Sequence, residues 1–383
     1  MYLQTLLTSF ALFQIVSSGC SGHNHHIGPQ AHYKTAITNV LIWDGKKFGR
    51  QRSTVIIIDG VIADSTPVGA SVINGNGGFL IPGLIDSHVQ LTDCKQLLEL
   101  QKLGITTALD LGTHPYNAVA KCGEHGLTDI RGSGAAGIVR EAKPGLISGY
   151  AAESLLSSLE AGEAFVASRL AEEIDHILLS LDPLGSRSND ATIKAVVNAA
   201  HKAGLQVIAQ ATTHASRSQA ARTGVDIVTD VQFDKSIEGT VIDNSTSSNP
   251  SSSMFQSTIT NMCEPFFLYG HAARSMNSTP EMSLVLAAGS SGIDKTTNSH
   301  VGEFLHEELA RMVAAGFTPS QAIQAATSIP TSAFRIDDRG VIKHGMRADL
   351  VLLRADPTVD IGNLRSIVNV WVEGLSKDKL SSP

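Results

Sequence analysis

Apolar and polar positions along the chain follow two rhythms. Between residues 36 and 80 the apolar runs are short and rich in β-branched and aromatic residues: Ala36 to Trp43, Thr54 to Ala63 and Phe79 to Ile81. Asp44-Gly45, Asp59-Gly60 and Asn74-Gly75 punctuate them. Runs of this kind bounded by such pairs predict strands joined by tight turns, here a compact antiparallel sheet. From about residue 84 the rhythm becomes strand then helix. Strands are expected at Leu84 to Asp86, Thr106 to Leu109, His176 to Leu181, Gln206 to Ala209, Asp226 to Thr229 and Leu284 to Ala288. Helices are expected at Gln96 to Leu103, Glu163 to Ile174, Asp190 to Ala203, Ser216 to Thr223, Glu303 to Ala315 and Pro319 to Ala326. Thr318 precedes the last of these as an N-cap, with Pro at the first helical position.

Repeated β-α alternation over so long a stretch predicts an α/β protein with a closed (β/α)8 TIM-like barrel, a doubly wound sheet being the competing arrangement. Strands return at Asp349 to Leu353 and Ser366 to Val372. They would rejoin the N-terminal strands, so a small β-sandwich domain is expected from both chain ends, residues 32–80 and 336–377, around a barrel over 81–335. Ser245 to Ser253 is a low-complexity loop.

Composition changes this picture little but narrows the partners. The chain has 383 residues, 42% hydrophobic and 17% charged, enough for one large core and a satellite. A formal net charge of -7 opposes nucleic-acid binding, which needs a basic face against phosphates. Leu6 to Val16 is an apolar run too short to span a bilayer, and small residues follow at Ser17, Ser18 and Gly19. This reads as an export signal over residues 1–19, although it lacks a basic flank. A buried core helix and a lipidated Cys20 are the alternatives. No other segment is long and apolar enough to cross a membrane, so none is expected to remain after signal removal. Asn244-Ser245-Thr246 and Asn277-Ser278-Thr279 are glycosylation acceptors consistent with secretion, Pro280 weakening the second. Cys94, Cys122 and Cys263 form an odd set from which no disulfide framework follows.

The stretch Leu80-Ile81-Pro82-Gly83-Leu84-Ile85-Asp86-Ser87-His88-Val89-Gln90 resembles the first-strand motif of the amidohydrolase superfamily. So do Gly104-Ile105-Thr106-Thr107, His300 to Leu309, Ala322 to Thr327 and, most specifically, Gly345-Met346-Arg347-Ala348-Asp349-Leu350. The resemblance covers roughly residues 36–375 and is closest to the imidazolonepropionase and metal-dependent dipeptidase branch. It implies the barrel, the β-domain and metal-assisted hydrolysis of a C–N bond in a small substrate. It also implies a ligand set: two His from the first strand, a carboxylated Lys or Glu from the fourth, one His each from the fifth and sixth, and an Asp from the eighth. Two divalent metals held this way lower the pKa of a bridging water and polarise the scissile carbonyl.

Carried over residue by residue, that set is degenerate. The first-strand pair is His88 and Gln90. The fourth-strand Lys falls on Leu178, the fifth-strand His on Gln210, the sixth-strand His on Asp230 and the eighth-strand Asp on Ser291. Gln is a poor ligand, Leu is none, and Ser binds weakly unless deprotonated. The frames survive while the ligands do not, which points to lost metal chemistry on a retained scaffold. His176 precedes Leu178 by two positions and would share its face, so a mononuclear site from His88, His176 and Asp230 stays open. A lone His is more often a hydrogen-bonded residue than a ligand. The His23, His25 and His26 tract reads as a solvated linker.

Other motifs add little. Gly132 to Gly137 fits G-x-G-x-x-G but lies mid-chain without the following acidic residue a dinucleotide site needs, and reads as the third-strand loop. No G-x-S-x-G elbow is present, and a Ser291–His88 dyad lacks a visible oxyanion hole. The expected pocket therefore has His88 and Asp230 as an acid–base pair, with Gln90, Gln210, Ser291 and His176 orienting a small-molecule substrate. No cofactor is expected, zinc entering only if the ligand assignment is wrong. Three functions stay open: a metal-independent enzyme performing isomerisation, cyclisation, dehydration or hydrolysis; a conventional metal-dependent amidohydrolase; and a non-catalytic binding protein. Self-association into a homo-oligomer also stays open.

Overall fold

The short β-branched runs at the start of the chain do become strands. The computed structural model describes residues 33–65, 68–122, 126–139, 154–181, 189–229, 267–271, 282–289 and 302–376. The first strands are β1 (Lys34–Ile42), β2 (Ser53–Ile58), β3 (Val61–Ala63), β4 (Ser71–Asn74) and β5 (Phe79–Pro82). Asp59 and Gly60, at φ 49° and 82°, make the two-residue turn that sets Ile58 opposite Val61 in the antiparallel β2–β3 hairpin. The sheet is mixed, however, where the sequence suggested a wholly antiparallel one. β4 and β5 both run parallel to β1, β4 against Thr35 to Thr38 and β5 against Leu41 and Ile42. The two short strands act as one interrupted strand along a single edge of β1, whose backbone bends between them at Asn39, φ 59°.

The next strands are parallel. β6 (Leu84–Val89), β7 (Ile105–Asp110) and β8 (Asp129–Gly132) form a three-stranded sheet. β9 (Gly137–Val139), β10 (Leu155–Leu156), β11 (His176–Ser180), β12 (Gln206–Gln210) and β13 (Ile227–Thr229) form a second. β14 (Phe267–His271) and β15 (Met282–Leu286) extend the second sheet antiparallel. The glycine-rich stretch 132–137 lies where the chain leaves the first sheet for the second. Gly132 is required there, because a Cβ would lie 2.0 Å from the Tyr116 ring.

The helices α1 (Lys95–Lys102), α2 (Asn117–Ala120), α3 (Leu159–Leu170), α4 (Asp190–Lys202) and α5 (His214–Thr223) fall between strands, and α6 (Glu303–Ala314), α7 (Pro319–Ala325) and α8 (Ser328–Ala333) follow. Ser158 and Asn189 cap α3 and α4, and Thr213 and Thr318 make capping boxes on α5 and α7, the latter with Pro319 in the first turn. The chain then returns through β16 (Leu350–Leu353), β17 (Ile367–Val372) and β18 (Leu375–Ser376) to the first sheet, where β16 pairs antiparallel with β5. That sheet is thus built from both chain ends, in the order β18-β17-β16-β5-β1-β2-β3 with β4 also on β1.

Both faces of the parallel strands are buried, as helices on one side demand. On β11, Ile177 and Leu179 pack with Phe165, Ile193 and Val196 of the helices. Leu178 faces the other way, into an apolar cluster with Ile85, Leu109, Leu111, Ile208, Ile227, Ala287 and Phe334. Backbone hydrogen bonds tie the three-stranded sheet outward at each edge: Asp175 N–H donates to Gly132 C=O at 2.8 Å, and Ser87 N–H to Ala288 C=O at 3.0 Å. The class is therefore α/β with parallel sheets. Among the described residues the strand ladders do not close into a ring.

Candidate active site

The C-terminal ends of parallel strands are where α/β proteins assemble their chemistry. β6 carries the first candidates. Its pairing with β7 slips between Asp86 and Val89, two residues there matching one on the partner, and such an irregularity re-aims side chains. His88 follows directly, its N–H donating to Asp86 Oδ1 at 3.2 Å. Its imidazole is buried, and burial lowers its pKa to about 4. At neutral pH the ring is uncharged.

Gln90 lies just past the strand. Its Nε2 donates to the Leu111 carbonyl at 3.1 Å, beyond the end of β7. Between them sits Gly112 at φ 116°, where a Cβ would lie 3.2 Å from Gln90 Nε2 and 3.9 Å from Leu178 Cδ2. Gln90 and Leu178 thus both border Gly112. Gln210 ends β12, in register with Ser180 of β11 and Thr229 of β13. His176 opens β11 at the opposite end of that strand, opposite Gln206. It is buried, its ring centroid is 5.9 Å from that of Phe334, and burial lowers its pKa to about 4 as well. Asp230, Ser291, the acceptors Asn244 and Asn277, the 1–19 leader and the His23–His26 tract lie outside the described residues.

Three features escaped the sequence, two beside these residues and one at the far end of the strands. The first is a polar clamp behind Gln90. Asp110, fully buried at the end of β7, accepts from Leu91 N–H at 2.9 Å and from Thr113 N–H at 2.9 Å, and the Thr113 hydroxyl lies 2.7 Å from its Oδ2 and 2.9 Å from the Leu91 carbonyl. Burial raises the Asp110 pKa, against the opposing pull of these bonds. The second is a disulfide between Cys94 and Cys122, Cα atoms 5.4 Å apart, joining the segment after β6 to the segment after β7. The third is a buried ion network at the start of β8. Arg339 Nη1 meets Asp129 Oδ2 at 2.6 Å and Thr107 Oγ1 at 3.0 Å, while its Nε and Nη2 grip Asp338. Arg347 binds Asp349 and Asp129, and Arg131 bridges Asp129 to Asp175. Burial works against the Asp129 carboxylate, yet Arg339, Arg347 and Arg131 outweigh it and hold its pKa below the usual range. A polar residue closing an apolar strand before glycine, as in Leu109-Asp110-Leu111-Gly112, was the one available signal for the clamp.

Comparison with known proteins agrees with this architecture. Residues 79–376 match the amidohydrolase family. The chain belongs to that family, a class of enzymes that hydrolyse C–N bonds. Among solved structures it is similar to a Xaa-Pro dipeptidase with methionine bound in its active site (18% identity, 90% of this chain and 99% of that one, TM-score 0.64). It is also similar to phenylurea hydrolase B (19%, 91% and 98%, TM-score 0.66) and to ochratoxinase of A. niger (15%, 90% and 96%, TM-score 0.63). At these identities the likeness concerns the fold. No curated protein matches the sequence at a significant level.

The residues present do not fit the metal pair that the resemblance implies. A neutral His88 would serve as one ligand. The Gln90 amide nitrogen is committed to Leu111, and a carboxamide oxygen is a weak donor to a soft dication. Leu178 offers no donor atom and is held among apolar side chains. Gln210 stands where the resemblance implies an imidazole. Among the described residues no three His, Cys, Asp or Glu side chains gather closely enough to hold a metal ion.

Proposed function

We propose that this protein hydrolyses a C–N bond, of amide or urea type, in a small organic molecule, and that it does so without the metal pair of its family. The observation that carries this reading is Leu178. A bridging carboxylated lysine is needed where Leu178 packs with Ile85, Leu109, Leu111, Ile208, Ile227 and Ala287, and a cation there would lose its hydration with nothing to replace it. The solved structures of similar fold include a dipeptidase and a phenylurea hydrolase, whose names share a C–N bond beside a carbonyl.

On this reading the two parallel sheets are walls of one closed barrel over residues 81–335, with the β-domain of residues 32–80 and 336–377 beside it. The edge bonds Asp175–Gly132 and Ser87–Ala288 support that closure. His88, uncharged, accepts a proton from the attacking water, with Asp230 as its acid–base partner. Gln90, Gln210 and Ser291 orient the substrate, while His176, expected from the sequence to join them, opens β11 at the far end of the strand and packs on Phe334 instead. A base with a pKa about 4 is mismatched to a reaction near neutral pH, so turnover is expected to be slow. Residues 1–19 act as a secretion signal, and Asn244 and Asn277 carry glycans. The Cys94–Cys122 disulfide supports an oxidising compartment.

The test is to secrete the protein from a eukaryotic host, measure its metal content, and assay N-acyl amino acids, Xaa-Pro dipeptides and phenylureas with and without chelator. Hydrolysis that survives chelation, from protein holding far less than one metal per chain, is the expected result. One or two zinc ions per chain with chelator-sensitive hydrolysis would establish the conventional metal-dependent enzyme instead. Binding without turnover across the panel would establish a non-catalytic protein.

A further inference from the structure

We propose that Asp110 and Thr113 are positioning residues of the candidate active site, holding Gln90 in place by pinning the segment that follows it. The argument is geometric and rests on the reading that Gln90 belongs to the site. β6 ends at Val89, and β7 ends at Asp110. Beyond those ends the two segments would part, because α1 and α2 begin separately at Lys95 and Asn117. They are instead bound across. Leu91 N–H is shared between Asp110 Oδ2 at 2.9 Å and Thr113 Oγ1 at 3.0 Å. The Leu91 carbonyl faces the same hydroxyl at 2.9 Å. Both backbone groups of Leu91 are thus held by one carboxylate–hydroxyl pair. Asp110 Oδ1 in turn takes Thr113 N–H at 2.9 Å, so the pair fixes its own loop as well.

Leu91 is the next residue after Gln90, and its side chain is buried. With Leu91 fixed in backbone and side chain, the Gln90 carboxamide has a defined origin from which it reaches the Leu111 carbonyl on the neighbouring segment. Leu111 lies between Asp110 and Gly112, so donor and acceptor of that bond are both referred to one buried carboxylate. A side chain meant to orient a substrate must itself be held, and a shell of this kind supplies that. A carboxylate buried in the protein costs more than a neutral group unless it has such work.

The experiment uses the free, disulfide-bonded protein and needs no substrate, so failure of the proposed hydrolase function leaves it interpretable. Thr113→Val and Thr113→Ser are compared with Asp110→Asn and the parent chain, following the Leu91 backbone amide by hydrogen exchange and the Gln90 side-chain amide by NMR. Exchange at Leu91 is expected to quicken about tenfold or more in Asp110→Asn, since a hydrogen bond to a charged group is worth roughly that much, and about fivefold in Thr113→Val, which loses only the neutral hydroxyl and keeps the Asp110 bond. The Gln90 carboxamide signal should move towards that of a solvated glutamine. Thr113→Ser, which keeps the hydroxyl, should restore both. Should Leu91 exchange quicken while the Gln90 signal stays where it was, the pair is merely structural and the proposal fails. It fails also if neither readout moves. Should Asp110→Asn not fold, the Thr113 pair decides alone.

Discussion

Leu178 is the residue on which the chemistry turns, and its surroundings make a measurable prediction. It is 1% exposed among apolar neighbours that include residues of four other strands, β6, β7, β12 and β13. Leu178→Ala should cost about 2–5 kcal/mol of unfolding free energy in urea, the range for a buried leucine that leaves a cavity. Leu178→Lys should cost at least as much, because an ammonium would be stranded there, and should not confer zinc binding, since Gln90 and Gln210 are still not imidazoles. Stoichiometric zinc in Leu178→Lys would show that the site was one residue from working. A second prediction concerns the buried imidazoles. An unfolded histidine titrates near 6.5, whereas His88 and His176 titrate at about 4 when folded. The unfolded chain therefore takes up protons first as pH falls. The stability each neutral ring contributes is intact above about 6.5 and lost progressively towards 4, on the order of 3 kcal/mol each at most. His176→Leu should flatten the fall in urea stability between pH 7 and 4.5, and an unchanged slope would show that His176 is not a buried neutral ring.

At the scale of elements, Cys94–Cys122 closes an interval of 28 residues containing α1, β7 and α2. Chain-entropy reasoning gives a loop of that size about 3–4 kcal/mol. The double variant Cys94→Ser, Cys122→Ser should lose stability of that order in urea, with Leu97 and Leu100 of α1 still anchoring the helix in the core. A loss of less than a few tenths would mean the bond merely records a contact already made. The elements themselves were legible, because their signals are local. Apolar runs between Asp-Gly pairs gave β2 and β3, and Thr318 with Pro319 gave the start of α7. The parallel course of β4 and β5 was not legible, since strand direction is set by which edge of β1 is free rather than by any residue in the short strands. The disulfide was equally hidden, as pairing depends on distances across the fold. Of the candidate site, the ends of β6, β11 and β12 could be read from motif frames. The Asp110 clamp could not, because its partners are backbone groups of Leu91 and Thr113, which carry no mark in the sequence.

For the whole molecule, the ion network shows how a family marker can be structural. Of Arg347 and Asp349, read from the sequence as a signature, Arg347 binds Asp129 at the start of β8 together with Arg339, and Asp349 pairs with both arginines. This is the end of the parallel strands away from the candidate site, where stability rather than chemistry is expected to be invested. Arg339→Met should cost about 3–5 kcal/mol by leaving buried carboxylates short of a partner, seen as a lowered melting temperature. A variant as stable as the parent would mean Arg131 and Arg347 suffice. The same C-terminal stretch supplies β16, which covers the outer edge of β5. On the ribosome, β1 to β5 emerge long before that cover exists, and about 270 further residues must be made before Leu350 arrives. During synthesis, or in any chain stopped short of that point, Phe79 to Pro82 presents bare backbone to whatever strand it meets, so premature termination should yield sticky, self-associating product rather than a smaller working enzyme.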